Sequence, residues 1–217
     1  MNLFLIVLVH SQQVVIIDFS TFCGFQVLTL AVQTHEGRAI PVYFDCLTYP
    51  IEFVGSQNIF IIDTLKRFIE QFKIKPAFVL DRGFTIPSLI QFFEADEIVF
   101  YVRCKKTKLI SIPDGNGGDT MLSAQALKHT NDTTIKAYGD LQLRLIKSAF
   151  NRKKHKEPWY ILTNDFSSTR KEIITIYYHR FEIEETFKDL KHVFGLKKFF
   201  IKRMMSFKVL LWCMIFC

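Results

Sequence analysis

The chain has 217 residues, of which 49% are hydrophobic and 23% charged. That is apolar enough to bury a sizeable core and excludes a disordered chain. The formal net charge of +7 is unevenly placed: residues 1–100 carry 6 Lys/Arg against 10 Asp/Glu, and residues 101–217 carry 22 against 11. An acidic half followed by a basic one points to a polyanionic partner, nucleic acid or an anionic membrane.

Five cysteines (Cys23, Cys46, Cys104, Cys213, Cys217) form an odd set with no CxxC pair. A disulfide framework and a structural zinc site are therefore not expected, and a reducing cytosol fits. The apolar ends, Leu3 to Val9 and Val209 to Cys217, fall short of the roughly 20 residues a bilayer span needs, and the first lacks a signal-peptide pattern. No membrane partner is expected. Both ends read as interior elements that have been cut, so the chain is expected to be a fragment.

Val14 to Phe19 is a β-branched run that predicts a buried strand with Asp18 at or near its end. Phe25–Val32 and Ala39–Phe44 follow as strands, joined by the turn at His35 to Arg38, giving an antiparallel meander. Ser56 is the expected cap of a helix whose apolar positions Ile59, Ile62, Leu65, Phe68, Ile69 and Phe72 recur at helical spacing, with Pro76 breaking it. Ala77 to Asp81 is the next buried strand, again ending in an acid. A short helix follows Pro87, and Glu97 to Arg103 reads as a strand.

Residues 105–158 change character. They hold the clusters Lys105/Lys106/Lys108 and Arg152/Lys153/Lys154/Lys156, a Gly-rich turn at Asp114 to Gly118, and two alternating segments, Thr133–Tyr138 and Leu141–Ile146, that predict a β-ribbon. This stretch is expected to be an insertion rather than part of the central sheet. Trp159 to Asn164 returns to strand character. From Ser167/Ser168 a single long helix is predicted to about His192, with Ile176, Ile183, Phe187, Leu190 and Phe194 on its core stripe. Beside that stripe Tyr177, Arg180, Glu184, Lys188 and Lys191 share one arc.

An aspartate ending a buried strand is costly unless paired or metal-bound. Turn capping would explain Asp18 or Asp81 one at a time, and i,i+4 pairing would explain Arg180, Glu184 and Lys188. Three carboxylates brought together, Asp18, Asp81 and Glu184, would instead suit two hard divalent cations.

The segment from Tyr177 to Lys191 has the spacing Tyr-x2-Arg-x3-Glu-x6-Lys, through Tyr177, Arg180, Glu184 and Lys191. It resembles the YREK signature of DDE transposases of the insertion sequence 4 (IS 4) family. Asp18 after the first strand and Asp81 in Val79-Leu-Asp-Arg-Gly-Phe are similar to that family's two catalytic aspartates in type, order and context. The resemblance spans about residues 12–200. It implies an α/β, RNase H-like fold, with a mixed five-stranded sheet flanked by helices. Residues 1–217 would form one catalytic domain with a small β-rich insertion at 105–158, and the N-terminal DNA-recognition region would be absent.

On that resemblance Asp18, Asp81 and Glu184 are the catalytic, metal-binding triad for two Mg²⁺ or Mn²⁺ ions. Arg180, Lys188 and Lys191 lie toward phosphates, and Tyr177 supports DNA near the cleavage point. Trp159 stacks on a base flipped from the DNA end, and Lys105, Lys106, Lys153 and Lys154 track the backbone. The implied partner is double-stranded DNA, as transposon ends and target, acted on by a homodimer when the protein is complete. The implied setting is a prokaryotic cytoplasm, associated with the nucleoid. Two other readings remain open: an RNase H-like metal-dependent nuclease without strand transfer, and a non-catalytic DNA-binding remnant.

Overall fold

The computed structural model describes residues 7–10, 14–34, 36–48, 57–113, 118–127, 132–148, 158–196, 201 and 203–216. Ser56, the turn at 114–117 and the basic cluster at 152–156, with Lys153 and Lys154, lie outside the described residues. The chain divides into two compact units, Met1–Pro76 with His179–Cys217, and Ala77–Tyr178.

In the first unit β1 (Val14–Phe22), β2 (Phe25–Val32) and β3 (Ile40–Thr48) form the expected antiparallel meander. Cys23 and Gly24 both adopt positive φ, 50° and 79°, which closes β1 and β2 with a tight two-residue turn whose twist matches the strands. β1 is longer than the sequence suggests, so Asp18 sits inside it opposite Thr29 rather than at its end. The extension arises because Phe19 to Phe22 keep pairing down to the Phe22–Phe25 rung.

Helix α1 (Gln57–Phe72) buries Phe60, Ile61, Thr64, Leu65, Phe68 and Phe72, while Ile59 is exposed. The expected stripe was therefore out of phase at its start: residues 59–62 are all apolar, so spacing alone cannot choose among them. Lys73 ends the helix in the left-handed region at φ 56°, its N–H donating to the Ile69 carbonyl.

In the second unit β4 (Ala77–Leu80) and β5 (Phe100–Cys104) are parallel neighbours, with α2 (Pro87–Ala95) as the crossover between them. β5 starts later than expected because Glu97 turns the chain at φ 54°. Phe93 of α2 stacks between Phe78 and Phe100, with centroids 5.7 and 5.5 Å away. β10 (Tyr160–Thr163) pairs antiparallel with β5 on one side and with β9 (Leu141–Lys147) on the other. β8 (Asp132–Ala137) joins β9 in a hairpin, and β6 (Leu109–Pro113) with β7 (Asp119–Ser123) continues beyond it.

Ten strands are thus described, three in the first unit and seven in the second, not the five expected. The excess comes largely from residues 109–147. Their ribbon hydrogen-bonds to β10 through β9 and so extends the sheet.

The predicted long helix is two helices. α3 (Arg170–Tyr178) ends the second unit, a 3₁₀ turn over His179–Phe181 follows, and α4 (Glu182–His192) belongs to the first. Three residues at 120° each, instead of 100°, add about 60° of rotation. The core stripe is re-phased accordingly: Ile173 and Tyr177 are buried on α3, Ile183, Phe187 and Leu190 on α4, and Phe194 lies past the helix, 50% exposed. In the first unit α4 packs on Ile16, Phe22 and Val27, and α5 (Met204–Phe216) adds Phe207, stacked 4.9 Å from Phe25. Among the described residues no helix is long and apolar enough to cross a membrane.

Candidate functional site

In the first unit the site is built around a buried guanidinium. Arg180, on the 3₁₀ turn, is 3% exposed, yet it lies 2.6 Å from Glu184 Oε1 and 3.7 Å from Asp18 Oδ2. Its Cζ stands 4.6 Å from the Phe181 ring centroid. A buried cation is tolerable only with such compensation, and two carboxylates supply it. Asp18 also accepts the Phe19 N–H at Oδ1, 2.8 Å away. Glu184 is 44% exposed on its side chain, so it reaches Arg180 from the solvent side.

Stitching between α4 and the loop from β2 to β3 holds this arrangement. Buried Glu182 accepts the Thr34 N–H at 3.0 Å and lies 2.7 Å from His179 Nδ1. The Thr186 hydroxyl donates to the Ala39 carbonyl at 2.8 Å, and Arg38 pairs with Asp189 at 2.5 Å. Further along α4, Lys191 Nζ lies 5.0 Å from the Phe22 ring centroid, and exposed Lys188 pairs with Glu185.

The second unit holds the other acid. Asp81 follows β4 and precedes a 3₁₀ turn over Arg82–Phe84, but its side chain caps nothing there. Instead its Oδ1 accepts the Tyr177 hydroxyl at 3.3 Å. Tyr177 is 0% exposed and presses edge-on against Trp159, with centroids 5.3 Å apart. Trp159 is 4% exposed and also meets Tyr178 at 6.4 Å. Both rings pack beneath α3, so neither presents a face to solvent in this arrangement. Lys105 and Lys106 lie in the turn after β5.

A buried acid fixes the start of α3. Asp165 accepts the Tyr101 hydroxyl at 2.7 Å, and its other oxygen accepts both the Ser167 N–H and hydroxyl, at 2.8 and 2.7 Å, and the Ser168 N–H at 3.0 Å. Burial pushes the Asp165 carboxyl up, but these hydrogen bonds outweigh it and hold it well below the usual carboxylate range. Burial, joined by the bond to Asp165, drives the Tyr101 phenol far above its ordinary value. The helix itself is capped by Thr169, not by the Ser167 or Ser168 expected. Thr169 and Glu172 form a reciprocal capping box, with the Thr169 N–H donating to Glu172 at 2.7 Å.

Sequence reasoning missed Asp165, Glu182 and Arg82. Asp165 carries a readable signal, an acid two residues before a Ser-Ser-Thr run. Arg82 stands next to Asp81, at the start of the 3₁₀ turn.

Asp18, Asp81 and Glu184 offer the hard oxygen donors that Mg²⁺ or Mn²⁺ takes, and each keeps partial exposure. Among the described residues no group of three or more His, Cys, Asp or Glu stands together at metal-holding spacing. The acids are paired instead with Arg180 and Tyr177.

The chain belongs to the transposase DDE domain family, whose pattern matches residues 28–217. Asp81, Tyr177, Arg180, Glu184 and Lys191 fall within the matched segment, and Asp18 precedes it. That membership brings DNA as substrate, with transposition and recombination as the associated process. No curated protein matches the chain.

Proposed function

We propose that the protein is the catalytic domain of a DDE transposase of the insertion sequence 4 kind, performing metal-dependent DNA cleavage and strand transfer. Asp18, Asp81 and Glu184 serve as the ligand set in one RNase H-like catalytic domain. Two divalent ions, Mg²⁺ or Mn²⁺, would supply activation of the attacking oxygen and stabilisation of the leaving one.

The observation that carries the reading is Arg180. A 3%-exposed guanidinium lies within reach of two of the three proposed acids, from the position that the Tyr-x2-Arg-x3-Glu-x6-Lys spacing requires. Its guanidinium pairs with both Asp18 and Glu184 and orients Glu184. Tyr177 holds Asp81 through its hydroxyl. Lys191, at the end of the same spacing, remains partly exposed for a phosphate.

The test combines binding and chemistry. Mn²⁺ binding, followed by electron paramagnetic resonance, is expected for the wild type and is lost in Asp81→Asn and Glu184→Gln. Cleavage of DNA carrying the element's ends should vanish in the same variants while DNA binding persists. Joined products would mark a transposase, whereas cleavage without joining would mark a nuclease. Full Mn²⁺ affinity in both variants would overturn the ligand set.

A further inference from the structure

Outside the acids, the second unit contains a concave basic site. A pocket of about 250 Å³ is lined by Arg82, Arg103, Lys105 and Lys106, with Cys104, Thr107, Pro158 and Tyr160 completing its wall. We propose that it binds a phosphate group of a DNA strand, gripping the strand beside Asp81; this rests on the transposase reading for the identity of the strand.

The placement follows from the sheet. β4 and β5 run parallel, with Leu80 beside Val102, so Arg82 after β4 and Arg103 at the end of β5 emerge at the same carboxyl edge. That edge is where open α/β sheets bind ligands. Arg82 is also the residue next to Asp81, which brings the pocket to the neighbourhood of an acid proposed to act in cleavage.

The pocket is preorganised rather than a loose patch of lysines. Tyr160 is paired across the sheet with Cys104, which fixes one wall. The turn bearing Lys105 and Lys106 is pinned by the Lys108 N–H on the Lys105 carbonyl and the Gln125 N–H on the Lys106 carbonyl, each at 2.9 Å. None of the lining residues is acidic. Cys104 supplies no negative charge either, because burial pushes its thiol up to about 12. Four cationic side chains gathered around so small a space favour an anion among them.

Size selects the anion. The volume is roughly eight waters' worth and falls below the range of about 300–1,000 Å³ typical of pockets that enclose whole organic ligands. A phosphate on a chain passing over the pocket fits that space, with its sugar or base left outside. A planar guanidinium suits phosphate oxygens through paired N–H donors, and Arg82 and Arg103 supply two.

The experiment uses the full chain without divalent metal, so cleavage plays no part in the readout. Arg82→Gln, Lys105→Gln and the double variant are compared with Lys66→Gln/Lys171→Gln, which removes the same charge elsewhere. Circular dichroism confirms folding. The probes are inorganic phosphate, read by the rise in melting temperature over chloride at matched ionic strength, and a labelled single-stranded 12-mer oligonucleotide, read by anisotropy. The expected result is a smaller melting rise in the double pocket variant and at least tenfold weaker oligonucleotide binding, with the control double variant losing less than threefold.

Equal responses in pocket and control variants would overturn the site. Loss of the phosphate response with unchanged oligonucleotide binding would overturn the DNA strand as the source and leave a free phosphate as ligand. Failure of Mn²⁺ binding or cleavage leaves these readouts intact, which separates this proposal from the catalytic one.

Discussion

The two units hold their acids by opposite means. In the first, Asp18 and Glu184 are matched by a fixed positive charge, the buried Arg180 guanidinium. In the second, Asp81 receives a neutral hydroxyl from Tyr177, and the cations line a separate pocket with Arg82 and Arg103. Removing a partner from the first group leaves unmatched charge in or near the core. Removing one from the second leaves only a missing hydrogen bond. Side-chain deletions should therefore separate the groups by the size of their effect on stability.

The largest effect belongs to the scaffold and sets the scale. Phe187 is buried and packs edge-on to Phe22, 5.8 Å between centroids. Phe187→Ala should destabilise by about 3–5 kcal/mol in denaturant titration. Next comes Arg180→Ala, at about 2–3 kcal/mol, since hydrogen bonds to charged groups are lost and Asp18 is left partly buried without its cation. The sequence places Arg180 on a polar arc, where its loss would be nearly neutral; its burial reverses that expectation. A neutral melting profile for Arg180→Ala would remove the contrast between the two groups.

Asp165 tests the second unit's own framework. Asp165→Asn should lose about 2 kcal/mol, because an amide cannot accept from Tyr101, Ser167 and Ser168 together. The pH dependence has a defined sign. The folded-state pKa is depressed, so the carboxylate's contribution is fully present above its unfolded value near 3.9. It is lost as pH falls below that value through the lower folded one. The gap between wild type and Asp165→Asn should hence be constant at neutral pH and close below about pH 4. A constant gap down to pH 2 would mean the charge of Asp165 does not matter.

Tyr177→Phe keeps the buried ring and deletes the hydroxyl on Asp81. Stability should fall by only about 1 kcal/mol, a typical net hydrogen bond. Under the proposed function, Mn²⁺ affinity should shift while the fold survives. A drop comparable to Phe187→Ala would make the hydroxyl bond to Asp81 a main support of the fold rather than a minor contact.

What the sequence revealed follows from how each signal arises. The meander and the strand ending at Leu80 were legible because β-branched runs bounded by turns have few alternatives. The Tyr177, Arg180, Glu184 and Lys191 spacing was legible as a motif, but its burial pattern was not. No Pro or Gly marks the 3₁₀ turn at His179–Phe181; it accompanies long-range ties such as Glu182 to Thr34, 148 residues apart. The phase of α1 was lost for a different reason, since consecutive apolar residues 59–62 carry no periodicity. The extent of the sheet was hidden because pairing of β9 with β10 is decided by tertiary register. Asp165 was overlooked because an acid in a polar loop looks solvated until Tyr101 is seen above it.

The smallest expected effect compares two lysines on α4. Lys188 is exposed and paired with Glu185 three residues earlier, an arrangement worth about 0–1 kcal/mol and screened by salt. Lys191 stands over the Phe22 ring at 5.0 Å, where a cation–π contact contributes about 0.5–1 kcal/mol at an exposed site. Lys188→Ala should accordingly melt within about 0.5 kcal/mol of wild type, and Lys191→Ala slightly lower. DNA binding offers the sharper reading. Each lysine that neutralises a phosphate lowers the slope of log affinity against log salt by about one unit when removed. Lys191 keeps its ammonium on an aromatic face and stands at the last position of the Tyr-x2-Arg-x3-Glu-x6-Lys spacing, whereas Lys188 has Glu185 as a competing anion. Lys191→Ala should reduce the salt slope, and Lys188→Ala should leave it nearly unchanged. Equal reductions would show that the Glu185 pair opens readily on DNA, and that the whole arc of α4, not its motif position alone, faces the backbone.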